Sequence, residues 1–146
     1  MNKIAPALLL LVLLIACASA VPASAQTRCD NCKMKVADDS KYKVVITLRD
    51  GDKVTLCSIF CGSMESETRG DKVAAMSTVD YNTGGEIDAR TAVWVEGGDA
   101  KKMMSSEARI AFKDKDSADA YTKEHGGKVV TFEQAYKDSV SEWKDK

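Results

Sequence analysis

Residues 42–67, YKVVITLRDGDKVTLCSIFCGSMESE, decide the fold. Tyr42 to Arg49 is β-branched and partly alternating, Asp50-Gly51 is a hairpin turn signal, and Lys53 to Leu56 continues as a second strand. From Cys57 the period changes. Cys57, Phe60, Cys61 and Met64 recur at the spacing of one helical face and predict a short helix over 57–67. Val73 to Tyr81 reads as a further strand, closed by the turn residues Asn82-Thr83-Gly84-Gly85. The second half repeats the order. Thr91 to Glu96 is a strand broken by Gly97-Gly98-Asp99, and Ala108 to Phe112 is the next. Asp114 to His125 carries Ala118, Tyr121 and Thr122 at helical spacing and is stopped by Gly126-Gly127. Lys128 to Phe132 is a strand, and Glu133 to Trp143 closes as a helix with Ala135, Tyr136, Val140 and Trp143 on its apolar stripe. The expected fold is α+β: two ββαβ units, about 40–82 and 90–132, with antiparallel sheet and a C-terminal helix. The residues of the two halves do not align well, so the repeat lies in element order alone.

A chain of 146 residues that is 45% apolar can bury one core, and a net charge of −1 provides no strong field of either sign. Nucleic acid is not an expected partner, because phosphate binding needs Lys and Arg clustered on one face. With a single histidine and no serine, histidine and carboxylate set, general-base chemistry has little to work with, and the chain is not expected to be an enzyme.

The leader is a separate matter. Lys3 precedes an apolar run from Ile4 to Ala16, the pattern of an export signal. Roughly thirteen residues at about 1.5 Å each fall short of a hydrocarbon core about 30 Å thick, so a spanning helix is the weaker reading. Leu14-Ile15-Ala16-Cys17 has the pattern of a lipobox, with Cys17 as the acylated residue. Ala23-Ser24-Ala25 before Gln26 offers ordinary signal cleavage instead. The lipoprotein is preferred because Cys17 closes the apolar run, where nothing else needs a cysteine. The expected organisation is a signal peptide over 1–16, a tether over 17–28 and a metal-binding domain over 29–146, held on the periplasmic side of the envelope by a lipid in the membrane.

Chemistry is concentrated in sulfur. Cys29 and Cys32 lie three apart, and Cys57 and Cys61 lie four apart on one side of the expected helix. Met34 follows Cys32, Met64 lies one turn past Cys61, and Met103-Met104 falls in the loop of the second half. Thiolates with thioethers favour Cu(I), since both donors are soft. Zinc takes cysteine and histidine and leaves methionine aside. Two disulfides are an alternative in an oxidising envelope, although a bridge within either local pair constrains the unfolded chain little. A four-cysteine zinc site is another. A thioredoxin-like dithiol is disfavoured, because its motif needs a preceding strand and here lies beside the tether. Met76 within a strand reads as core, Met64 as core or ligand equally, and His125 as a last-turn residue favoured by the helix dipole.

These residues carry a resemblance. Cys32-Lys33-Met34, Cys61, Val79-Asp80-Tyr81, Gly85 to Ala89, Ala92-Val93-Trp94-Val95, Ala111-Phe112, His125-Gly126-Gly127 and Phe132 stand in an order and spacing similar to the NosL family, envelope copper-binding lipoproteins associated with nitrous-oxide reductase maturation. The resemblance implies two ββαβ units and a Cu(I) site built from Cys32, Met34 and Met103 or Met104. It also implies delivery of the copper to a metalloenzyme such as nitrous-oxide reductase, or exchange with a copper transporter. Lys33 stands where the family usually has glycine, and its charge beside a thiolate should favour metal binding at neutral pH. Cys29 and Cys57 are additional, and with Cys61 they stay open between metal and disulfide. The competing function is a lipoprotein stabilised by disulfides or zinc that serves as a binding or scaffold subunit.

Overall fold

The computed structural model describes residues 26–146. The expected signal peptide, the tether up to residue 25 and Cys17 lie outside the described residues. The fold is α+β, with two antiparallel sheets and three helices, the last of them C-terminal.

Strands β1 (Val44–Leu48) and β2 (Lys53–Leu56) form the hairpin around Asp50-Gly51. Val44, Ile46 and Leu48 alternate inward along β1, which is why this register is the one adopted. Helix α1 (Ile59–Arg69) follows, and a short turn of 3-10 helix leads into β3 (Val73–Val79), which pairs on the other side of β1. Strand β4 (Glu86–Asp88) adds an edge beside Ser77 to Val79. The first sheet therefore runs β2-β1-β3-β4. In the second half, β5 (Val93–Glu96) is flanked by β6 (Arg109–Phe112) and β7 (Lys128–Val130), with α2 (Lys115–His125) between these two in sequence. Helix α3 (Phe132–Lys144) packs on both α1 and β5.

Three local expectations change. Helix α1 begins at Ile59 rather than Cys57, because Ser58 is extended at its N-cap and Cys57 belongs to the end of the hairpin. The last strand stops at Val130: the Thr131 hydroxyl accepts the Gln134 N–H and starts α3 one residue early, at Phe132. Strand β4 was not expected, since three residues are too few to show an alternation.

Trp94 and Val95, neighbours on β5, point into different cores. Trp94 joins the one built on the first sheet, α1 and Ala135 of α3. Val95 joins Ile110, Phe112, Ala118 and Tyr121 beneath α2. The sheets meet at a parallel bridge between Asp80 and Ala111, where the Tyr81 N–H donates to the Ala111 carbonyl at 2.8 Å.

Candidate metal centre

Residues 28–35 form a tight turn closed by an antiparallel bridge between Arg28 and Lys35. The Cys29 N–H donates to the Met34 carbonyl at 2.8 Å, and the Lys33 N–H donates back to the Cys29 carbonyl at 2.9 Å. Lys33 sits at φ 63°, in the left-handed region. The turn docks on the hairpin through one residue: the Asp30 N–H donates to the Thr55 carbonyl at 2.9 Å, and the Asp30 carboxylate accepts the Thr55 N–H at 2.8 Å. This places Cys29 and Cys32 against the end of β2, from which Cys57 emerges. Cys61 comes from the first turn of α1.

The two cysteine pairs, 25 or more residues apart in sequence, thus converge. All four Sγ atoms lie within 4.8 Å of one another. Cys32 is 3.7 Å from Cys57, and Cys57 is 3.6 Å from Cys61. All four are free thiols, at separations well beyond the bonded distance of about 2.05 Å. Cys29, Cys57 and Cys61 are buried; Cys32 is half-buried against the same core.

Such crowding divides the protons unequally. Cys29 is held far below the ordinary thiol value of 9.0, first because the Cys57 and Cys61 thiols donate to it, and also because the N–H groups of Cys32 and Cys57 do so. Cys57 is pushed up to about 12, chiefly because its proton is held by the Cys29 sulfur. Cys61 is pushed far above 9.0 for the same reason. The sulfurs thus share their protons within one closely packed group. The Lys33 ammonium donates to the Asp30 carbonyl of the same turn.

The methionines separate into classes. Met76 is core. Met64 and Met103 are half-buried against the same core as the cysteines. Met34 is 38% exposed. Met34 and Met103 line one cavity of about 280 Å³, together with Lys41, Tyr42, Tyr81 and Lys101. Met103 is brought there by Ser58, whose hydroxyl donates to the Met103 carbonyl at 3.2 Å and so ties the second-half loop to the residue after Cys57. Met104, at φ 65° and 45% exposed, does not line that cavity. His125 stacks on Tyr121 and bonds Asp99 at 2.9 Å through Nδ1, closing the glycine loop at the end of α2.

Asp30 and Ser58 were missed as positioning residues. Ser58 had a signal, a serine directly before an apolar run; Asp30 had none, since its partner Thr55 is fixed only by tertiary contact. A larger cleft of about 480 Å³ is lined by Glu96, Arg109, Lys128 and Glu142, whose charges are paired with one another.

Comparisons with known proteins bear on the fold and the family. The crystal structure of the copper chaperone NosL from Shewanella denitrificans is similar, with a TM-score of 0.59 at 20% identity, over 73% of this chain and 87% of that one. At that identity the likeness establishes a shared fold. No curated protein sequence matches the chain. The NosL family profile matches residues 20–140, which takes in both cysteine pairs, both sheets and most of α3, and the chain belongs to the NosL family.

Proposed function

We propose that the chain is a copper chaperone of the cell envelope, not an enzyme, which takes Cu(I) as cargo and passes it by ligand exchange to a metalloenzyme such as nitrous-oxide reductase or to a copper transporter. One observation carries the reading: Met34 of the N-terminal turn, two residues past Cys32, and Met103 of the second half, whose carbonyl accepts from Ser58 beside Cys57, line a single cavity. Soft donors from opposite ends of the chain converge at a surface. Neutral thioethers suit a monovalent soft cation and hold hard cations poorly. A few exposed sulfurs also suit transfer, because an incoming ligand can reach the ion. Met104, next to Met103 in sequence and 45% exposed, is the exchange donor.

The family match and the likeness to a protein described as a copper chaperone support the same reading. The two halves, each running strand, strand, helix, strand, are read as one ββαβ unit used twice, with the cargo taken between them. Cys17 is proposed as the lipid attachment point that holds the chain to the membrane on the periplasmic side; no helix among the described residues is long and apolar enough to cross it. A mature mass carrying acyl chains on Cys17 is expected, and an unmodified start at Gln26 would remove the anchor.

The cargo site is tested by anaerobic Cu(I) titration against a competing chelator for the reduced chain and for Met34→Ala and Met103→Ala. Each substitution is expected to weaken binding by about tenfold or more, equivalent to about 1.4 kcal/mol. Unchanged affinity in both would overturn the site.

A further inference from the structure

We infer that the four cysteines are a second metal site, a closed tetrahedral cage for a resident divalent ion of the zinc class, distinct from the place where copper is carried. The argument begins with size. Four sulfurs arranged as a regular tetrahedron about 2.3 Å from a central ion stand about 3.8 Å apart, whereas two sulfurs on opposite sides of a linearly bound ion stand about 4.6 Å apart. The separations of 3.7 Å between Cys32 and Cys57 and 3.6 Å between Cys57 and Cys61 are close to a tetrahedral edge, and all four sulfurs lie within 4.8 Å of one another, so four donors can reach one ion with little movement.

The way the donors are supplied points the same way. Two come from a three-residue spacing on a backbone turn and two from a four-residue spacing at the entrance of a helix, so each pair is fixed locally and the two pairs close on each other. Three of the four sulfurs are buried. Beside the Asp30–Thr55 pair and the burial of Val36 in the first core, the cysteines join this N-terminal turn to the hairpin and α1. An ion there clamps the turn, and with it Met34, onto the rest of the molecule. Loading exchanges the thiol protons for one ion and leaves the oxidation state of every sulfur unchanged.

A cage that surrounds its ion with four ligands retains it, which is the opposite of what a delivery site requires. With Cys32 committed to the cage, the cargo falls to the thioethers of Met34 and Met103, with Met104 as the exchange donor. The copper part of this division rests on the chaperone reading; the cage does not.

The experiment is elemental analysis of the full chain purified anaerobically, followed by Co2+ exchange and by addition of one equivalent of Cu(I) with a zinc indicator present. Expected are one zinc per chain, intense visible bands of tetrahedral thiolate-bound Co2+, and Cu(I) uptake without zinc release. Cys61→Ser should lose the zinc and Cys61→His should keep it; if the serine variant does not fold, the cobalt spectrum of the unmodified chain decides. A chain that takes up neither zinc nor cobalt in stoichiometric amount, or whose first Cu(I) expels zinc one for one, overturns the proposal. Full zinc occupancy with no tight Cu(I) binding would sink the chaperone reading and leave the cage standing.

Discussion

Lys33 occupies a backbone conformation that suits glycine. At φ 63° a Cβ crowds the following carbonyl and costs about 1–2 kcal/mol, which glycine avoids. Lys33→Gly is expected to raise stability by about 1 kcal/mol in urea unfolding, less the loss of its ammonium bond to the Asp30 carbonyl. Gly98 is the converse case. A Cβ there would lie 2.8 Å from the Gly126 carbonyl oxygen and 2.9 Å from that of His125, at φ +76°. Both obstacles are backbone and cannot swing aside, so Gly98→Ala should cost about 3 kcal/mol and shift the denaturation midpoint accordingly. The neighbouring glycines were legible as helix and strand breakers, but this interlock of two loops, 28 residues apart, was not.

Among the elements, α3 does more than cover a sheet. Its Glu142 carboxylate accepts the Ser106 N–H and bonds Arg109, itself paired to Glu96, while Lys146 donates to the Met104 carbonyl. The last turns of α3 therefore hold the loop that carries Met103. Burial opposes ionisation of Glu142, but the Ser106, Arg109 and Lys146 donors outweigh it and keep its carboxyl below the ordinary 4.5. A lowered folded value means that its contribution is full above 4.5 and is lost as pH falls below that point. Amide exchange at Ser106 and its neighbours should accelerate in that acid range. Glu142→Gln should remove the pH dependence and lower stability at neutral pH by about 1–3 kcal/mol. The hairpin, α2 and α3 were legible because their periods and caps are local. The entrance of α1 was placed two residues early because Cys57 and Cys61 share a helical spacing although only Cys61 is helical.

For the molecule as a whole, the two sheets are coupled through β5, whose successive residues serve separate cores, and through the Asp80 carboxylate. Asp80 accepts from Thr83 in its own turn and from the Lys113 N–H beyond β6. The halves should unfold as one unit, with coincident transitions by circular dichroism and by tryptophan fluorescence. Trp94→Ala, which empties a buried volume against both α3 and the first sheet, should cost about 3–5 kcal/mol and lower a single transition rather than divide it into two. Period and turn residues were enough to specify the class of fold and, β4 apart, the order of its elements, because each depends on neighbours within a few residues. The junction of Cys29 and Cys32 with Cys57 and Cys61, the cavity that Met34 shares with Met103, and the use of α3 to hold that loop were decided by tertiary structure alone. Each depends on which surfaces dock, and docking is set by packing and burial summed over residues far apart in the chain.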